Sequence, residues 1–171
     1  MRRKMALVLA VLMALGMMAG PAMAGAAERA TGSLEDDTRS FDFNAHGEVA
    51  MNNGNVREAK GAATLFNKNT AASWSMGVAA ATVHDNRACF IGPITGGNAV
   101  DDDKWMRVVV IDNGPGPTDP DLVYTQQTDA RDDEAKAEAE AWLEAQQDSC
   151  STTGIGLRVG PDEAEGNLTV H

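Results

Sequence analysis

An all-β, mainly antiparallel domain of about eight short strands with one appended helix, barrel-like or a sandwich, is the fold class this sequence predicts. Three observations predict it. Short segments of alternating or continuous apolar character recur with turn residues about every eight to twelve positions. One of them, Lys104 to Asp121 (KWMRVVVIDNGPGPTDPD), is apolar on nearly both faces from Trp105 to Ile111, as a strand buried on two sides should be, and stops at two prolines and two glycines. Only one stretch, 129–148, is rich enough in Ala, Glu and Gln to read as a helix. An eight-strand sheet removes its exposed edges by closing on itself, which favours the barrel-like form.

The chain opens with an address. Arg2, Arg3 and Lys4 precede the uncharged run Met5 to Met18, and Ala22-Met23-Ala24 fits the small-x-small cleavage rule, so residues 1–24 read as a secretory signal peptide, its apolar core too short to span a bilayer. The twin arginine hints at export of folded protein, but the very apolar run fits the ordinary secretory route better. No cysteine follows, which argues against a lipid anchor. Three of the 14 basic residues leave with this segment, so 11 face 25 acidic residues and the net charge moves from −11 to about −14. That sign excludes nucleic acid and anionic lipid as partners; solubility is the simplest reading of it, divalent-cation binding the functional one. The expected partner is a small ligand, a cation or another protein, with no membrane span after signal removal and a monomeric chain.

Residues 25–38 are small, polar and acidic and read as a mobile lead-in, so the β-domain is placed at 39–171. Ser40 to Ala45 alternates, with Phe41, Phe43 and Ala45 on one face. His46-Gly47 reads as a turn, Glu48 to Met51 as a second strand and Asn52 to Asn55 as another turn. Gly61 to Asn67 and Ala72 to His84 follow as strands, the latter with Trp74, Met76, Val78, Ala80 and Thr82 on one face throughout. Asp85-Asn86 is a two-residue hairpin loop, and Arg87 to Ile94 returns. Thr95 to Asp103 reads as loop and Asp121 to Gln126 as a short strand. The helix takes Thr128 or Asp129 as its cap and Ala135, Ala139, Trp142 and Leu143 as its apolar stripe. Gly154 to Val159 and Gly166 to His171 close the chain as a hairpin.

Cys89 and Cys150 both belong to the exported part, where a disulfide is favoured over free thiols. Joined, they close a loop of about 60 residues, worth roughly 4 kcal/mol in the chain-entropy model. Asp112, Asn113, Asp119 and Asp121, in the proline-rich loop after the core strand, are the candidate oxygen ligands for Ca²⁺, though their spacing matches no helix-loop-helix calcium motif and Asp112-Asn113-Gly114 is also an ordinary turn. Asp101 to Asp103 is a weaker cluster, because neighbouring side chains on an extended chain diverge. No catalytic set stands out: His46, His84 and His171 lack spacing-defined partners, and no nucleophile elbow, zinc signature or P-loop occurs. Trp74 and Trp105 read as core rather than sugar platforms, and Trp142 as the helix anchor.

The stretches Phe41 to Ala45, the Asp85-Asn86 hairpin with Ala88 to Gly92, Val108 to Gly114, and Gly166 to Val170 occur in the same order as in a loosely defined group of small exported bacterial β-proteins, which this chain resembles from about residue 39 onward. The resemblance implies a β-fold and export, and no activity. The group usually carries its first cysteine nearer Ala80, and a looser loop where this chain has its helix. Two functions follow as alternatives: a non-enzymatic exported binding or structural domain, which an apolar interior cavity would favour, or a small secreted or periplasmic hydrolase, which needs a histidine meeting carboxylates in a cleft.

Overall fold

The computed structural model describes residues 29–47, 57–114, 120–146, 148–159 and 165–170. Among these residues are ten strands and one helix, in the order β1 (Arg29–Glu35), β2 (Arg39–Gly47), β3 (Arg57–Asn67), β4 (Ala72–Gly77), β5 (Ala80–His84), β6 (Arg87–Gly97), β7 (Trp105–Ile111), β8 (Leu122–Gln127), α1 (Asp132–Glu144), β9 (Gly156–Val159) and β10 (Glu165–Val170). All pairings are antiparallel, along the path β10-β1-β2-β3-β4-β6-β7-β8-β9, with β5 bridging β3 and β6. The mainly antiparallel class, barrel-like or sandwich, is therefore the observed one, and among the described residues the two ends of the path, β9 and β10, do not form a ladder.

The strand β7 is central, as its sequence demands. Met106, Val108 and Val110 point into the sheet's concave interior, while Val109 and Ile111 point outward, all five buried. The interior is filled by a chain of aromatic rings. Trp74 meets Phe41 edge-on at 6.0 Å, Phe41 stacks on Phe43 at 5.4 Å, and Phe43 stacks on Phe90 at 5.6 Å. The interior is thus a packed core.

Outside, α1 lies on β5, β6 and β7, with Ala135, Ala139 and Leu143 buried and the last two packed with Ile91, Val109 and Ile111. Trp142 packs only partly, so the two alanines and the leucine, rather than the tryptophan, seat the helix. Cys89 on the outer face of β6 stands at disulfide distance from Cys150, just past the helix, with Cα atoms 5.6 Å apart. The pair ties the segment after α1 to the sheet. Among the described residues no helix is long and apolar enough to cross a membrane.

Several boundaries differ from the sequence reading. The expected mobile lead-in contains β1, whose inward positions are Ala30, Gly32 and Leu34, a pattern diluted by the small residues. His46 and Gly47 extend β2 instead of turning, and Thr95 to Gly97 extend β6. The expected strand at 48–51, the turn at 52–55, His171 and the signal segment lie outside the described residues. Among the described residues the expected terminal hairpin does not form: β10 pairs with β1, and β9 pairs with β8. The helix spans 13 residues rather than twenty, and its N-cap is Arg131 without a side-chain bond. Thr128 is instead buried, accepting from the Trp105 amide at 3.1 Å and donating to the Ala130 carbonyl at 3.1 Å.

The stretch Ala72 to His84 is not one strand with one phase. From Met76 to Ala80 the chain advances four residues while its partner β6 advances three, from Ile94 to Ile91, so an extra residue bulges out at the β4–β5 break. The faces exchange there: Trp74, Met76 and Val78 point inward, but beyond the bulge Ala81 joins the interior and Ala80 turns outward. The bend brings the Gly77 carbonyl against Gly92, where an added Cβ would sit 1.6 Å from that oxygen.

Candidate functional site at the barrel mouth

Alternation decides which side chains meet at each end of the barrel. The phase that turns Phe41, Phe43 and Ala45 inward also places Arg39 inward at the start of β2. Asn67 lies across from it at the end of β3, and Gln127 lies across from Met106 at the end of β8. With Leu65, Trp74 and Thr125 beneath them, these residues line a cavity of about 210 Å³ closed on one side by Val100. Its floor is the top of the aromatic column, since Trp74, Leu65 and Met106 are themselves core residues. Its rim carries a guanidinium and carboxamides. Among the described residues no carboxylate lines this cavity.

Several carboxylates on the turns and loops next to the lining residues have partners of their own. Asp36, in the β1–β2 turn, accepts at one oxygen from the Thr38 amide (2.7 Å), the Thr38 hydroxyl (2.8 Å) and the Arg39 amide (2.6 Å). Burial works against its ionisation, but these hydrogen bonds and the Arg39 charge outweigh it and hold the carboxyl below its ordinary value. Glu35 pairs with Lys68 at 2.6 Å. Asp101 and Asp103 pair with Arg131 at 2.8 and 2.5 Å, and the hydrogen bond from Arg131 is the main reason that the Asp103 carboxyl lies below the usual range.

A second concavity, of about 610 Å³, runs between α1 and the outer sheet face. Ala80, Ile91 and Trp105 form its floor, and Glu58, Lys60 and Glu140 stand on its edges. Nearby, Arg107 reaches from the outer face of β7 to pair with Glu138 of α1. Desolvation lowers the Arg107 pKa, an effect the neighbouring Asp129 charge opposes. Glu138 also accepts from the Ala130 amide at 2.8 Å, fastening the turn before the helix.

The sequence-predicted calcium ligands divide. Asp119 lies outside the described residues. Asp112, Asn113 and Asp121 do come together, but around backbone amides. Asp112 accepts from the Gly114 amide at 2.9 Å with one oxygen and from the Val170 amide at 3.2 Å with the other. Asp121 likewise accepts from the Asn113 amide at 2.8 Å and the Leu168 amide at 3.0 Å. Leu168 and Val170 are alternate residues of β10, so the two carboxylates hold the N–H groups on the edge that faces away from β1. They act as the missing strand where β9 and β10 fail to pair. Asn113 completes the clasp by donating to the Pro120 carbonyl at 2.7 Å. Among the described residues no group of three or more His, Cys, Asp or Glu side chains is placed to hold a metal ion.

His46 on β2 lies between Arg29 and Lys60, and His84 ends β5 opposite Arg87; neither hydrogen-bonds a carboxylate among the described residues. Comparison with family models, curated proteins and solved structures finds no match to this chain.

Proposed function

We propose that this chain is an exported, non-enzymatic β-domain that binds a small molecule at its barrel mouth. The observation that carries this reading is the chemistry of the mouth: a concave site with an apolar floor of Leu65, Trp74 and Met106, ringed by a few polar groups from different strands. That combination, built on rigid strands, is how small-molecule sites are made. At about 210 Å³ the cavity is smaller than the roughly 300–1,000 Å³ typical of drug-sized ligand sites, so the ligand is small. Export is supported by the basic, then apolar, then small-residue N-terminus and by the cysteine pair at disulfide distance, which suits an oxidising compartment.

A two-dimensional amide NMR screen of the mature chain against a fragment collection tests the proposal. Fragments that bind should shift the signals of Arg39, Asn67, Trp74 and Gln127 together. If binding fragments shift residues at the α1 groove and leave the mouth unchanged, the proposal fails.

A further inference from the structure

We propose that the groove between α1 and the outer sheet face is a second binding site, one that takes a small organic cation with a flat apolar body, the ammonium class of ligand. It shares no lining residue with the mouth, so the two sites stand or fall separately. At about 610 Å³ the groove lies within the roughly 300–1,000 Å³ of small-molecule sites. Its floor is apolar by register: Glu58 stands opposite Ala80 and Ala80 opposite Ile91, which lays these positions of β3, β5 and β6 in one row, and Trp105 continues the outer face on β7. Trp105 is only half-buried, which leaves part of its ring to meet a ligand, and indole is the side chain whose face best attracts a cation.

The charge along the walls sets the sign of the ligand. Lys136, Glu140 and Glu144 are spaced four apart on α1 and form one stripe along the groove, about 12 Å long. Lys136 is paired with Glu140 at 3.7 Å, and Lys60 on β3 has an interaction of its own. Among the described residues Glu58 and Glu144 have no ion-pair partner. Three carboxylates against two ammonium groups leave the lining one negative charge in excess. Glu144 is also the last residue of α1, whose final turn holds no basic residue, so its carboxylate adds to the negative pole of the helix. The net charge of −11 draws cations toward the molecule, and the groove supplies apolar surface on which an organic one rests. A bare metal ion is a poorer match, because among the described residues no three of His, Cys, Asp or Glu converge to hold one.

The test pairs each cation with an uncharged isostere: 2-phenylethylammonium with 2-phenylethanol, and tryptammonium with tryptophol, titrated into the mature chain and followed by amide NMR. The ammonium probes should shift Ala80, Ile91 and Glu140 and bind about fivefold more tightly than the alcohols. Glu58→Gln with Glu144→Gln, both at exposed positions and checked for an unchanged fold by circular dichroism, should erase most of that preference. Asp133→Asn with Glu134→Gln, an equal loss of charge outside the groove lining, should keep it. Equal binding of ammonium and alcohol at the groove, or an equal drop in both double variants, would overturn the cation assignment. Shifts confined to the mouth would overturn the groove as a site and leave the mouth reading standing, whereas ammonium binding in the groove with no probe shifting the mouth upholds this inference and counts against that reading.

Discussion

Replacing Asp121 by Ala removes the acceptor for two backbone amides, Asn113 N and Leu168 N, at 2.8 and 3.0 Å. Hydrogen bonds to charged acceptors contribute about 1.5–3 kcal/mol each when water cannot replace them, and neutral exposed ones far less. The Asn113 amide is exposed and water replaces the carboxylate there; the Leu168 amide is partly buried on the free edge of β10 and is left short of a partner. The expected loss is about 2 kcal/mol, or a fall in Tm of about 4–8 °C for a domain of this length. Hydrogen exchange locates the effect. The Leu168 amide should exchange about thirtyfold faster, the equivalent of 2 kcal/mol, while Thr169, whose amide faces β1, keeps more of its protection. Unchanged exchange at Leu168 in a folded Asp121→Ala variant would refute the carboxylate seam. Calcium separates the two readings of this loop: an ion held by Asp112, Asn113, Asp119 and Asp121 raises the Tm of the wild type, whereas carboxylates committed to amides leave it unchanged.

Other perturbations probe the rest of the frame. Gly92→Ala puts a methyl 1.6 Å from the Gly77 carbonyl, which backbone cannot yield cheaply, so denaturant unfolding should show a loss of about 3 kcal/mol or more; a loss under about 1 kcal/mol would contradict the close approach at the bulge. Arg107→Met strands Glu138, whose side chain is 29 % exposed, and should cost about 3 kcal/mol; because Glu138→Met also frees the Ala130 amide, a double-mutant cycle reads the pair, and losses in the two single variants that simply add up to the loss in the double would deny it. Asp36 has a folded-state pKa below its unfolded value, so its contribution is present above the unfolded value near 4 and disappears as pH falls through the folded one. Asp36→Asn should therefore flatten the decline of stability in that acid window, measured by urea unfolding at stepped pH, and an identical decline in both proteins would count against the turn geometry.

Where the sequence carried a strong local pattern, it was legible. Six of the seven residues of β7, all but Arg107, are apolar because one face meets the aromatic interior and the other meets α1, and the two-residue loop at Asp85-Asn86 has its positive φ at Asp85. What escaped has physical reasons. In β1 the inward residues Ala30 and Gly32 carry almost no hydrophobic signal. The phase change after Val78 is hidden because Ala79, Ala80 and Ala81 fit either face. The pairing of β10 with β1 joins residues from opposite ends of the chain, which local turn chemistry at 161–165 cannot reveal. The hold of Asp112 and Asp121 on the edge of β10 joins residues 58 and 47 positions apart, which local spacing does not show. The mouth did leave a trace: Arg39 and Gln127 share the phase of Phe41 and of Val123, and a polar residue on the inward phase at a strand's end marks a barrel rim.

The most direct measurement is the affinity of a mouth-binding ligand for a Gln127→Trp variant. Gln127 stands at the outermost inward position of β8, opposite Met106, so an indole there occupies the cavity from the rim while the aromatic column below is untouched. With the Tm within a few degrees of wild type, binding weakened by at least about tenfold is the expected result. Undiminished binding to the plugged barrel would contradict the account, because the ligand would then occupy some other part of the molecule.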